Sequence, residues 1–132
     1  MIPKFRAWMK SLKWMCDVTN ISFDSKFVDI CQKGDTERYT EMSVEFDEIE
    51  LMQSTGLVDK EGTEVFEGDI LHHQIQTEYT FIVKYDKDKG RWYGDGLSRT
   101  YRIDITKEFL PYYKVIGNVY ENPELLEGAN ET

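Results

Sequence analysis

His72 and His73 are the chain's two histidines, and imidazole is a common ligand for transition metals. Their adjacency argues against one shared ion, because neighbouring side chains on a strand point to opposite faces. Cys16 and Cys31 lack the paired spacing of a zinc site and are too few for a disulfide scaffold. No metal, cofactor or structural disulfide is assigned, and the histidines are expected as a half-exposed strand pair.

Glu67 and Asp69 flank Gly68 and face one side of an extended chain. Two close carboxylates can act as general acid and base when their pKa values are driven apart, so a small hydrolase using Glu67 and Asp69 is one alternative. Gly-Asp before an apolar strand is also a turn in which Asp accepts backbone amides, and no nucleophile or basic partner is patterned nearby. The turn is favoured, and no catalytic residue is assigned. Residues 84–107 carry Lys84, Lys87, Lys89, Arg91, Arg99, Arg102 and Lys107 against Asp86, Asp88, Asp95 and Asp104, a balance of seven minus four, or +3. With Trp92, Tyr93 and Tyr101 among them, this stretch could clamp and stack single-stranded nucleic acid. The competing and favoured reading is a charged hairpin whose aromatics cover a core. Glu41, Glu45, Asp47, Glu48 and Glu50 alternate with Met42, Val44 and Phe46 over the first part of their run, as the solvated face of a strand does.

The elements that must position these groups are mostly strands. The chain has 132 residues, 14% of them aromatic, and a net charge of -9; it is rich enough in packing groups to fold as one compact unit and too acidic for a general phosphate-binding surface. No signal-peptide core, membrane-length apolar run, Gly-rich phosphate loop, GxSxG or HExxH is present. Period-two patterns predict strands within 4–9, 13–18, 42–46 and 79–85, with turns at Ser11-Leu12, Asp24-Ser25, Asp59–Gly62 and Lys87–Gly90. Gly56 is expected to bend the chain after a strand ending near Met52. Residues 32–41 read as a mobile polar loop. Five or so short strands after residue 51 predict a small closed barrel. A strand near 112–120 is expected to bulge at Gly117-Asn118, and Asn122-Pro123-Glu124 to start a short helix or turn.

KFRAW near the start, LMQSTGLVDKEG, FEGDI and VIGNVYENPELL, in this order, resemble the YopX family of bacteriophage and prophage proteins. The likeness spans nearly the whole chain, with two departures: Ser54 stands where an aromatic is expected and Met9 where an acidic residue is usual. It implies a mainly β protein whose C-terminal part is an SH3-like barrel; with the strand pattern above, the expected organisation is an N-terminal β lobe (1–50), the barrel (51–127) packed with it as one compact unit, and a frayed tail (128–132). It further implies a phage- or prophage-encoded protein of the bacterial host cytoplasm, with no established reaction, cofactor or catalytic residue. The leading expectation is a non-enzymatic interaction or assembly factor. Its partner is a host or phage protein or a second copy of itself, with neither nucleic acid nor membrane expected, and Trp8, Trp14 and Trp92 are candidate anchors.

Overall fold

A computed structural model describes residues 4–76, 79–97 and 102–127. The fold is mainly β, in two compact units, Met1–Gln53 and Ser54–Thr132. The expected tail at 128–132 lies outside the described residues.

The N-terminal unit is an antiparallel sheet. β1 (Phe5–Met9) pairs with β2 (Trp14–Ser22), which pairs with β3 (Phe27–Gln32), which pairs with β4 (Met42–Glu45); on its other side β1 pairs with the first half of β5 (Ile49–Val58). Alternation sends Ala7, Met9, Cys16, Val28, Ile30, Val44 and Ile49 into one buried cluster, with Trp14, Met42 and Phe46 against it. Phe46 lies in a 3₁₀ turn, Phe46–Glu48, rather than in β4. That turn is closed by a capping box between Glu45 and Glu48. The polar segment 32–41 is organised by Asp35, whose Oδ2 accepts the Thr40 amide at 2.7 Å and hydroxyl at 2.6 Å. These bonds hold the Asp35 carboxyl below its usual range.

Register explains the cysteines. Asp17 is opposite Cys31 and Cys16 opposite Gln32, so the two thiols are one residue out of step, point to opposite faces of the sheet and are free. Both are buried. Burial, with smaller contributions from Cys31 and Asp17, pushes the Cys16 thiol up to about 11. Burial and then the Asp17, Asp35 and Glu41 carboxylates push Cys31 up, against a lowering by Arg38.

In the C-terminal unit the rest of β5 pairs with β6 (Glu64–Phe66), with a register shift between Ser54 and Val58. Gly56 takes φ +78°, but the strand does not end at Met52 as the glycine suggested. The Ser54 and Thr55 hydroxyls accept the Gly56 and Leu57 amides at 3.0 and 3.1 Å, carrying the chain through the irregularity. Ser54 also donates to Glu64 at 2.6 Å; a polar contact stands where an aromatic was expected. A second sheet follows, of β7 (Asp69–His73), β8 (Thr80–Asp86), β9 (Arg91–Gly96), β10 (Arg102–Asp104) and β11 (Tyr113–Asn118), in the order β10-β9-β8-β7-β11. Its core is Val65, Leu71, Phe81, Val83, Ile105, Leu110 and Tyr113, with Phe109 stacked on Tyr113 at 4.0 Å.

The expected closed barrel is corrected here: β10 and β11 are the ends of an open sheet. The reason lies at the outer edge of β11, which is occupied by a turn instead of a strand. Asp59 is 5% exposed; its Oδ1 accepts the Glu61 and Thr63 amides at 2.8 and 2.9 Å, closing the turn. Its Oδ2 accepts the Val115 amide at 2.9 Å, and the Lys60 amide donates to the Tyr113 carbonyl at 3.0 Å. Two groups on that edge are thereby satisfied, and strand pairing stops there.

After β11 comes the bulge the glycine predicted, between Val115 and Gly117. A Cβ on Gly117 would overlap the Asn122 side chain. Asn122 precedes the short helix α1 (Glu124–Glu127), but its Oδ1 accepts the Asn118 amide at 3.2 Å instead of capping that helix. Asn118 Oδ1 in turn accepts the Tyr120 and Glu121 amides at 3.1 and 2.8 Å.

Two outcomes are expected. At pH 8 iodoacetamide should alkylate both cysteines more than about tenfold faster in denaturant than in the native protein, because only the thiolate reacts and its native fraction stays low until the pH approaches 11 for Cys16. Mass spectrometry with time reads this; equal rates would contradict the burial of the two thiols. Asp59→Asn, which can keep Oδ1 for the turn but puts an N–H against the Val115 amide, should cost about 1–3 kcal/mol in urea unfolding. Asp59→Ala, which orphans all three amides, should cost more.

Candidate functional site

Glu67 and Asp69 sit where β6 passes into β7. Asp69 is 1% exposed, and its Oδ2 accepts the Phe66 amide at 2.8 Å. Gly68 takes φ +87°, open to glycine at little cost. Its amide donates to the Val83 carbonyl at 2.9 Å and its carbonyl accepts the Val119 amide at 3.0 Å. FEGDI is thus a junction that ties the bend to β8 and to the chain after β11, and the Asp69 carboxylate serves as a turn cap.

His72 and His73 diverge as strand alternation requires. His72 Nδ1 lies 3.0 Å from the Thr80 hydroxyl. His73 Nδ1 accepts the Ile75 and Gln76 amides at 3.1 and 2.8 Å, which places its ring proton on Nε2. Its ring is parallel to Tyr112 at 6.3 Å and edge-on to Tyr113 at 5.0 Å. Among the described residues no three His, Cys, Asp or Glu side chains come together as a metal site.

The hairpin at 84–107 is neutralised along its strands. Lys84 pairs with Asp95 at 2.7 Å, Arg91 with Asp104 at 2.8 Å and Arg102 with Asp86 at 3.1 Å. Arg102 also lies 3.6 Å over the centre of the Tyr93 ring. Burial raises the Asp86 carboxyl, but the Lys89 and Asp88 amides and Arg102 outweigh it and hold the group below its usual range. Trp92 packs against the core and sits edge-on to Tyr85 at 5.0 Å. Lys87 and Lys89 are exposed at the tip, and Arg99 and Tyr101 lie outside the described residues.

In the acidic run, Met42, Val44 and Phe46 face inward while Glu41, Glu45, Asp47 and Glu48 are exposed. Glu50 pairs with Lys10 at 3.3 Å. Trp8, Trp14 and Trp92 are all half-buried. Trp14 and Trp92 pack against the cores of different units, so the three are not one cluster.

One concave feature of the C-terminal unit was not singled out from the sequence. It is a groove of about 620 Å³ lined by Gly56, Leu57, Val58, Asp59, Lys60, Lys107 and Pro111, within the size range of ligand clefts. Its floor is mainly apolar, Val58 is 53% exposed, and the Asp59 carboxylate is already spent on three amides. Neither Glu67 nor Asp69 lines it. The available signal was Val58, an apolar residue directly before a polar four-residue turn.

The comparisons with known proteins agree with the motifs. The family described as "YopX protein" matches residues 4–127. The solved structure of protein EF1440 from Enterococcus faecalis is similar, with 34% sequence identity and a TM-score of 0.65, over 96% of this chain and 99% of that one. No curated protein matches. Among the described residues no helix is long and apolar enough to cross a membrane. With the match running from β1 through α1, the chain belongs to the YopX family.

Proposed function

We propose that this chain is a non-enzymatic interaction factor, encoded by a phage or prophage, that works in the bacterial host cytoplasm by binding another protein. The observation that carries this reading is where the polar side chains of its motifs are spent. Asp59, Asp69, Asn118 and Asn122 accept backbone amides, so these motif residues shape a surface, and among the described residues they assemble no acid, base or nucleophile on it. The ion pairs on 84–107 weigh against the nucleic-acid reading, since each carboxylate there competes with phosphate for its cation.

A tagged copy of the full chain, recovered at moderate salt from lysogenic or phage-infected cells, tests this. A stoichiometric protein retained after nuclease treatment and at raised salt is expected. Recovery of nuclease-sensitive material that salt releases steeply would overturn the reading in favour of the hairpin at 84–107. Bait alone would overturn it for a foreign partner, and sedimentation of the purified chain would then test self-assembly.

A further inference from the structure

We infer that the groove between the 56–60 segment and Lys107-Pro111 docks an extended segment of a partner protein that carries apolar side chains flanked by carboxylates. This rests on the interaction reading above and names the chemistry of the partner.

The floor selects apolar side chains: Leu57, Val58 and Pro111 line it, and burying them gains roughly 25 cal/mol per Å². Outside the groove lining, further apolar side chains are exposed in the same unit. Tyr112, next to Pro111, is 59% exposed and lies parallel to the ring of His73, which holds the turn presenting Ile75, itself 82% exposed. An open surface of this kind suits a peptide segment better than an enclosed small molecule.

Charge sets the flanks. The protein carries -9 overall, yet both charged side chains at the groove that are exposed are cations, Lys60 and Lys107. Neither has a carboxylate within ion-pair distance among the described residues, whereas Lys114 is paired with Glu61. The third charged lining residue, Asp59, is buried with its oxygens occupied. An approaching segment therefore meets two ammonium groups beside an apolar floor, which complements carboxylates and disfavours basic sequences.

Four backbone amides of the groove wall are already engaged. The Gly56 and Leu57 amides are held by Ser54 and Thr55, the Asp59 amide by the Thr63 carbonyl, and the Lys60 amide by the Tyr113 carbonyl. With these four donors engaged, the inference rests on side chains and charge and not on strand addition.

The test is selection of random displayed peptides on the intact chain, followed by titration of the enriched peptides against wild type, Val58→Asp and the double variant Lys60→Glu/Lys107→Glu, each verified as folded by thermal melting. Enriched sequences should combine apolar residues with Glu or Asp, and each variant should weaken them by about tenfold or more. Replacing the peptide carboxylates with Lys should restore binding to the double variant and not to wild type, a rescue that a merely structural role would not give. No enrichment, enrichment without carboxylates, or equal affinity for the variants would overturn the inference. The double variant in the cell recovery experiment separates the two readings: a protein partner retained by both forms would sink the groove and leave the interaction reading standing.

Discussion

The C-terminal unit is organised around one buried carboxylate. Asp59 lies in a turn that would otherwise leave the Glu61, Thr63 and Val115 amides without acceptors, and its two oxygens take all three. An amide orphaned in a buried site costs about 1–3 kcal/mol, so the turn and the edge of β11 are secured together. The same contact decides the architecture. A strand edge carrying the Asp59–Lys60 turn cannot accept another strand, and the five-stranded sheet stays open. It also leaves the outer side of that turn as a wall of the groove.

Three of the motifs by which the sequence resembles the family work on this principle. Asp59 in LMQSTGLVDKEG, Asp69 in FEGDI, and Asn118 with Asn122 in VIGNVYENPELL each bring side-chain oxygens to backbone amides at places where the chain leaves regular pairing. Asp and Asn are suited to this because their short side chains reach amides one to four residues away. They are also the residues that general acid–base chemistry would use, which is why Glu67 and Asp69 invite a catalytic reading from spacing alone. Partners decide between the roles, and partners are a matter of geometry.

That distinction sets what could be read in advance. Strand alternation and turn glycines fix local conformation, so the hairpins at 9–14 and 86–91, the Asp59–Gly62 turn and the bulge before Gly117 are legible from residue types alone. Closure of the barrel is not, because it depends on whether the edge of β11 meets a strand or a turn, which no local pattern encodes. Gly56 misleads for a related reason: the hydroxyls of Ser54 and Thr55 carry β5 through a bend that glycine alone suggests is an ending. Asn122 has the sequence position of a helix cap but a closer demand from Asn118 behind it. The groove is least legible of all, since Lys107 and Pro111 are about fifty residues from Val58 and meet it only once β11 is docked on the Asp59 turn.

Electrostatics follow from the same arrangement. On the open sheet β8, β9 and β10 lie side by side, so cations and carboxylates along them fall within reach across strands: Lys84 with Asp95, Arg91 with Asp104, Arg102 with Asp86. Exposed pairs of this kind contribute about 0–1 kcal/mol each to stability, so their larger effect is on recognition: they occupy Lys84, Arg91 and Arg102, and the +3 balance of 84–107 rests on the cations outside these pairs. The groove differs because its own acidic residue is withdrawn into the turn, leaving Lys60 and Lys107 uncompensated by the lining. With that carboxylate buried to satisfy the backbone, the exposed charged side chains that line the groove are both cations, in a protein whose net charge is negative.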